Sequence, residues 1–292
     1  MLVSAGEREE GAAGGHWHTH ADGTTHAHAP QQTHPHDAGG GHGPSAAGPI
    51  GDAGAGHFHG LPPLPRRNDG GARSIELGKP ILERNQRLAE RNRGFFRGRG
   101  LAAFNLISSP GSGKTTLLER TLAALSPEIR GAVVVGDLAT ARDAERVRAA
   151  GAAAVQITTG TVCHLDAEMV ARGLEQLDLG GCRVVWIENV GNLVCPSDFD
   201  LGEGARVVLL SVTEGEDKPL KYPPVFRRAD AVVLTKADLV DACGVDLGEL
   251  RRNVARMAPQ ARCFEMSART GLGMEAWLGW VRERVGTVVG DG

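Results

Sequence analysis

The chain has 292 residues, 41% of them hydrophobic and 23% charged, and a formal net charge of -3. That length allows one large or two small domains, and the near-neutral charge gives no electrostatic reason to expect nucleic acid as a partner. No stretch has the length and apolarity of a membrane span, residues 1 to 10 lack the apolar core of a signal peptide, and five sparse cysteines do not make a disulfide framework. The expectation is therefore a cytoplasmic protein with free thiols.

Residues 1 to 72 are rich in Gly, Ala, Pro and His. Such a composition cannot bury enough apolar area to offset the entropy of ordering, which predicts a disordered tail. It carries ten of the eleven histidines: His16, His18, His20, His26, His28, His34, His36, His42, His57 and His59. Neutral imidazoles at His-x-His spacing bind Ni²⁺ or Zn²⁺ weakly and with little geometric selectivity, as a store. Leu61-Pro62-Pro63-Leu64-Pro65 reads as a stiff spacer. Residues 73 to 100 read as a connector helix packed on the domain that follows. Its narrow apolar stripe is Ile81, Leu82 and Leu88, and Pro80 sits near its start.

From 101 to 288 short apolar runs alternate with amphipathic stretches. The runs are Ala103 to Ile107, Ala132 to Val135, Ala153 to Ile157, Val184 to Ile187, Val207 to Val212, Ala231 to Leu234 and Cys263 to Met266. Thr115 to Leu125 and Leu272 to Val285 are among the helical segments between and after them. This order predicts an α/β domain, a mostly parallel sheet with helices on both faces. Ligands of such folds bind at the carboxyl ends of the strands.

The first run leads into Ser108-Ser109-Pro110-Gly111-Ser112-Gly113-Lys114-Thr115-Thr116 and then a helix. Strand, Gly-rich loop and helix is the context of a P-loop. Gly111 and Gly113 let successive N–H groups of the loop from Pro110 to Thr116 face phosphates. Lys114 supplies a cation, the Thr115 hydroxyl is a Mg²⁺ ligand, and the helix N-terminus adds partial positive charge. Asp137 and Glu188 each close a strand beside this loop. Either is placed to hold Mg²⁺ or its waters, or to orient the attacking water. Gly191 would bring a backbone N–H to the γ-phosphate.

Thr235-Lys236-Ala237-Asp238 and Ser267-Ala268-Arg269 follow the last two runs. The Asp238 carboxylate accepts from guanine N1–H and N2–H₂ together, whereas adenine would leave it unpaired. The Lys236 stem covers the base and the Ala268 N–H donates to O6. The two segments resemble the base-recognition motifs of GTPases, with Thr235 where most have Asn.

Cys163-His164 and Cys195 offer two sulfurs and an imidazole, donors that suit nickel, zinc or copper. Three protein ligands rarely close a site, but a two-fold dimer would bring two sets together. Cys182, Cys243 and Cys263 are expected to be small buried apolar residues. Cys195 lies four residues after Gly191, which predicts that nucleotide state and metal affinity are linked reciprocally.

With these motifs in place, 74 to 285 resembles the HypB family of hydrogenase maturation GTPases. The resemblance rests on the loop from Ser108 to Thr116, Cys163-His164-Leu165-Asp166-Ala167, Glu188-Asn189-Val190-Gly191-Asn192-Leu193-Val194-Cys195-Pro196, and the run from Ser211 to Pro223. It implies a GTP-dependent homodimer of the signal-recognition and urease-maturation class, with Cys163, His164 and Cys195 as metal ligands near the dimer interface. It implies a HypA-type metallochaperone and the [NiFe]-hydrogenase large subunit precursor as partners. Met1 to Gly6 lacks the cysteine cluster that some members use to bind nickel tightly. The alternatives are a nickel storage protein and a urease-maturation GTPase. The latter carries Cys-Pro-His, where this chain has Cys195-Pro196-Ser197.

Overall fold

The computed structural model describes residues 16–19, 25–28, 78–126, 128–137 and 142–290. The chain divides into two units, Met1–Gly70 and Gly71–Gly292. In the first, β1 (His16–Thr19) and β2 (Thr25–His28) pair antiparallel, with His16 opposite His28 and His18 opposite His26. The stretch expected to be without structure thus contains one short ladder. Its alternating residues have the period of two that a strand needs. His20, His34, His36, His42, His57, His59 and the spacer Leu61 to Pro65 lie outside the described residues.

The second unit opens with α1 (Gly78–Gly98), and Pro80 falls in its first turn, where its missing N–H costs nothing. Residues 73 to 77 of the expected connector lie outside the described residues. Seven strands follow: β3 (Ala102–Ser108), β4 (Gly131–Asp137), β5 (Ala153–Thr158), β6 (Val184–Glu188), β7 (Ala205–Ser211), β8 (Ala231–Thr235) and β9 (Arg262–Glu265). They pair in the order β5-β4-β6-β3-β7-β8-β9, and every pair is parallel. The helices are α2 (Lys114–Leu125), α3 (Arg142–Ala149), α4 (Ala167–Glu175), α5 (Lys218–Lys221), α6 (Pro223–Arg227), α7 (Val240–Cys243), α8 (Leu247–Met257) and α9 (Met274–Gly290).

Strand residues alternate between two cores, as a doubly covered sheet requires. On one face Phe104, Leu106, Val133, Trp186 and Val233 pack with Leu117 and Leu118 of α2, Val147 of α3 and Trp277 and Trp280 of α9. On the other, Ala103, Val134, Val185 and Ile187 pack with Phe96 of α1 and Val170 of α4. Val208, Leu210 and Val232 continue that face against Phe226 of α6 and Leu250 of α8. Phe104 stacks on Trp186, with centroids 4.6 Å apart, and the buried Trp277 indole donates to Thr121 Oγ1 at 2.9 Å. This is the parallel α/β P-loop fold that the sequence predicts.

Two of the three cysteines expected to be buried are not. Cys182 is buried, whereas Cys243 and Cys263 are exposed. Cys243 ends the short surface helix α7, and Cys263 lies on the edge strand β9, which one neighbour leaves partly uncovered. Among the described residues no helix is long and apolar enough to cross a membrane.

Candidate functional site

Strand β3 lies at the centre of the sheet, between β6 and β7, and the loop at its carboxyl end leads into α2. Gly111 and Gly113 have φ of 71° and 97°, the left-handed turns that curl this loop. Lys114 is buried, and its Nζ donates to Ser108 Oγ at 2.8 Å. Ser108, which stands where the P-loop pattern has its first glycine, therefore holds the lysine across the loop. Thr115 Oγ1 donates to Glu188 Oε1 at 2.7 Å.

A cavity of ≈ 430 Å³ opens above the loop, lined among others by Lys114, Thr115, Asp137, Glu188 and Gly191. Burial pushes the Glu188 carboxyl up to about 7, against the Thr115 hydroxyl and the Lys114 ammonium, which both favour its charged form. Burial likewise lowers Lys114, opposed by Glu188 and more weakly by Asp143, Glu214 and Asp137. Glu188 Oε2 is buried with no hydrogen-bond partner among the described residues. A carboxylate oxygen so placed, beside a threonine hydroxyl and the Asp137 carboxylate, suits a hydrated divalent cation, so the donor set fits Mg²⁺. Gly191 packs on the loop itself: a Cβ there would come within 3.0 Å of Pro110 Cα and 3.1 Å of its nitrogen. A larger residue there would have to push the loop back by a few tenths of an ångström.

A second cavity of ≈ 200 Å³ lies on the other side of the loop, lined by Gly113, Thr116, Lys236, Asp238, Ser267 and Ala268 among others. Thr235 Oγ1 donates to the Ser112 carbonyl at 2.6 Å, so this residue ties the β8 end to the phosphate loop. Lys236, at φ 59°, donates from Nζ to the Gly111 carbonyl at 2.8 Å. The Asp238 carboxylate is mostly buried, with the Arg269 guanidinium 4.0 Å away.

The order β5-β4-β6 places the loops after β5 and β6 on either side of the β4 end. The first carries Cys163 and His164 and the second carries Cys195. The two sulfurs lie 2.8 Å apart, well beyond a disulfide bond of about 2.05 Å, and both thiols are free. Each sulfur and one imidazole nitrogen of His164 fall within 4.8 Å of one another. Burial lowers the His164 pKa, against a pull upward from Asp166, which leaves the neutral imidazole that ligates metals. Its Nδ1 is buried without a hydrogen-bond partner among the described residues. The contact with Cys163 sulfur, and then burial, push the Cys195 thiol up. A soft metal ion between the two sulfurs would reverse that, because it binds thiolate. The loop is seated by Leu165, which is fully buried: a Cβ on Gly136 would come within 2.7 Å of Leu165 Cγ.

Within the second unit the structure thus brings the predicted residues around two adjoining cavities and one donor cluster. Sequence reasoning missed Ser108 as the partner of Lys114, and it missed Asp143 and Arg146 of α3, which line the phosphate cavity. Arg146 donates to Thr116 Oγ1 and is paired with Glu119. It also missed Asn189, whose buried carboxamide is bonded to several elements at once. Nothing in the local sequence marks these roles, because each depends on partners distant in the chain.

The family model described as "CobW/HypB/UreG, nucleotide-binding domain" matches residues 102–265. The hydrogenase maturation factor HypB of Rhizobium leguminosarum bv. viciae is 49% identical over 209 residues, which cover 72% of this chain and 70% of that one. Among solved structures, HypB from Archaeoglobus fulgidus aligns with a TM-score of 0.66 at 43% identity, covering 70% of this chain and 99% of that chain. HypB from Helicobacter pylori in complex with nickel aligns with a TM-score of 0.66 at 40% identity, covering 69% and 95%.

Proposed function

Because the chain belongs to the HypB family of hydrogenase maturation factors, we propose that it is a GTP-hydrolysing metallochaperone that helps insert nickel into a [NiFe]-hydrogenase. The observation that carries this reading is the shared loop after β6. Within eight residues it runs from Glu188 at the phosphate cavity, past Gly191 against Pro110, to Cys195 at the donor cluster. A helper that moves nickel with GTP needs such a connection, and a passive store does not.

GTP lies with its phosphates on the loop from Pro110 to Thr116 and its guanine in the smaller cavity. The Lys114 ammonium faces the terminal phosphates. Asp238 reads N1–H and N2–H₂, Ala268 N–H reads O6, the Lys236 stem covers the base, and Ser267 holds the turn through Oγ, which accepts from Thr270 N–H. Thr115 and Asp137, directly or through waters, would hold a Mg²⁺ whose charge would offset that of the phosphates. Glu188 holds the Thr115 hydroxyl in place and, with Asp137, orients the attacking water. Gly191 N–H meets the γ-phosphate and orders the loop when GTP is present.

Nickel is cargo. Cys163, His164 and Cys195 hold it, or zinc in its absence, and a second copy of the chain completes or alters the set in a GTP-dependent homodimer. Hydrolysis resets the loop and releases the metal toward the hydrogenase large subunit precursor, with a HypA-type metallochaperone as co-worker, in the cytoplasm. The tail histidines, from His16 to His59, act as a weak reserve of Ni²⁺ or Zn²⁺. That the Helicobacter relative was solved with nickel supports the choice of metal.

Complementation of a cell lacking its own HypB-type factor tests the proposal. Wild-type chain is expected to restore hydrogenase activity, and Cys163→Ala is not. Deletion of 1–72 should still restore it at ample nickel. Restoration by Cys163→Ala, or complete failure of the deletion at ample nickel, would contradict delivery by the GTPase unit.

A further inference from the structure

Asn189 lies between Glu188 and Val190, outside every role assigned above. It is 1% exposed. Its Oδ1 accepts two backbone N–H groups, from Leu165 at 3.0 Å and from Val190 at 3.0 Å. Its Nδ2 donates to Asn105 Oδ1 on β3 at 3.3 Å, and Asn105 Nδ2 donates onward to Glu203 Oε1 at 3.1 Å. This chain of donors fixes which end of the Asn189 carboxamide faces which partner, since both backbone groups can only donate.

The two N–H groups on that one oxygen belong to different loops. Leu165 directly follows His164, and its side chain fills the space above Gly136, one residue before Asp137. Val190 directly precedes Gly191, which rests on Pro110 of the phosphate loop. Buried polar groups that share one acceptor cannot move independently without leaving a donor unpaired, at a cost comparable to a lost hydrogen bond. A displacement of Gly191 by a γ-phosphate would pull on the Val190 N–H and so on the oxygen that anchors the Cys163–His164 loop.

We propose that Asn189 is the positioning residue that couples the two sites: its Oδ1 transmits the seating of the Val190–Gly191 segment to the backbone behind Cys163 and His164. This rests on the functional reading above, and it assigns the coupling to one oxygen atom. A buried asparagine with a purely structural role would stabilise both loops equally whatever nucleotide is bound.

The test compares the full chain with Asn189→Leu, close in volume but without an acceptor, and Asn189→Asp, which keeps the acceptor oxygen. Nickel is titrated in GDP and in a non-hydrolysable GTP analogue. Thiolate-to-nickel charge-transfer absorption is the readout, because the cysteine-free tail does not give it. Wild type is expected to show a ratio of affinities in the range of about 5- to 150-fold between the two states. Asn189→Leu should reduce that ratio to below about 2-fold while still binding nickel and nucleotide, and Asn189→Asp should keep most of it. A full ratio in Asn189→Leu overturns the assignment to Asn189 alone. A wild-type ratio of one overturns the functional reading together with it.

Amide hydrogen exchange of the wild-type chain without nickel gives a second measurement that needs no variant to fold. The Leu165 and Val190 amides should change protection together when GDP is replaced by the GTP analogue. Unchanged protection at both, or a change at Val190 alone, overturns the coupling.

Discussion

Lys114 and Glu188 are the two buried charged groups of the phosphate cavity, and each is destabilised by its own burial. The cost is tolerable because each sits beside the partner it needs: Lys114 on Ser108 Oγ, Glu188 on Thr115 Oγ1. Removing the cation leaves the terminal phosphates without their compensating charge. Lys114→Ala is therefore expected to lower GTP turnover at least roughly 100-fold, and unchanged turnover would refute the placement of the phosphates.

Glu188 also makes a pH prediction. Its folded-state value, about 7, lies above the ordinary 4.5, so the folded chain holds the proton more tightly than the unfolded one. The stability this contributes is fully present below the unfolded value and is lost as pH rises through the folded one. Without nucleotide or Mg²⁺, the chain should lose about 3 kcal/mol more than Glu188→Gln between about pH 5 and about pH 8. Denaturant melts at the two pH values measure this, and parallel losses in both proteins would contradict it.

At the scale of elements, α1 is held by two buried amides together with a partly buried ion pair. Asn85 accepts from Ala167 N–H and donates to the Asp200 carbonyl. Asn92, 2% exposed, donates to the carbonyls of Ala167 and Leu201 at 2.8 and 3.0 Å. Arg93 adds a partly buried ion pair with Asp200 at 2.8 Å, which with the Gly202 N–H outweighs burial and keeps that carboxyl low. These contacts tie α1 to the start of α4, directly after the Cys163–His164 loop. Asn92→Ala removes two buried hydrogen bonds and is expected to cost about 2–3 kcal/mol by urea denaturation. A loss below about 0.5 kcal/mol would show that α1 does not brace this region. The strands were legible because fully buried parallel strands read as short apolar runs, and all seven were located to within two residues at each end. The bracing of α1 was not, since a narrow stripe of Ile81, Leu82 and Leu88 suggested apolar docking. Ile81 and Leu82 are in fact exposed, and the helix buries Ala89, Phe96 and its asparagines.

At the scale of the whole molecule, the order of strands decides what the sites can do together. The nucleotide residues were legible as motifs because glycine, lysine and carboxylate have fixed uses around a phosphate. Cys163, His164 and Cys195 were legible as donor types. The resemblance grouped them as one ligand set, and the structure brings them together; the physical reason, β5 and β6 flanking β4, was not legible, because no local pattern encodes strand order. The same order brings Asp137, at the β4 end, between the two donor loops and beside the phosphate loop. A ligand at either site therefore acts on shared backbone, and this is the central claim. Its most direct test is nickel titration of the full chain in GDP and in the GTP analogue, beside Cys163→Ala, read by thiolate-to-nickel absorption. The expected result is a thiolate signal whose affinity or stoichiometry changes with nucleotide and which vanishes in Cys163→Ala. No thiolate signal in either nucleotide state would leave the tail histidines as the only nickel site and would contradict GTP-driven delivery.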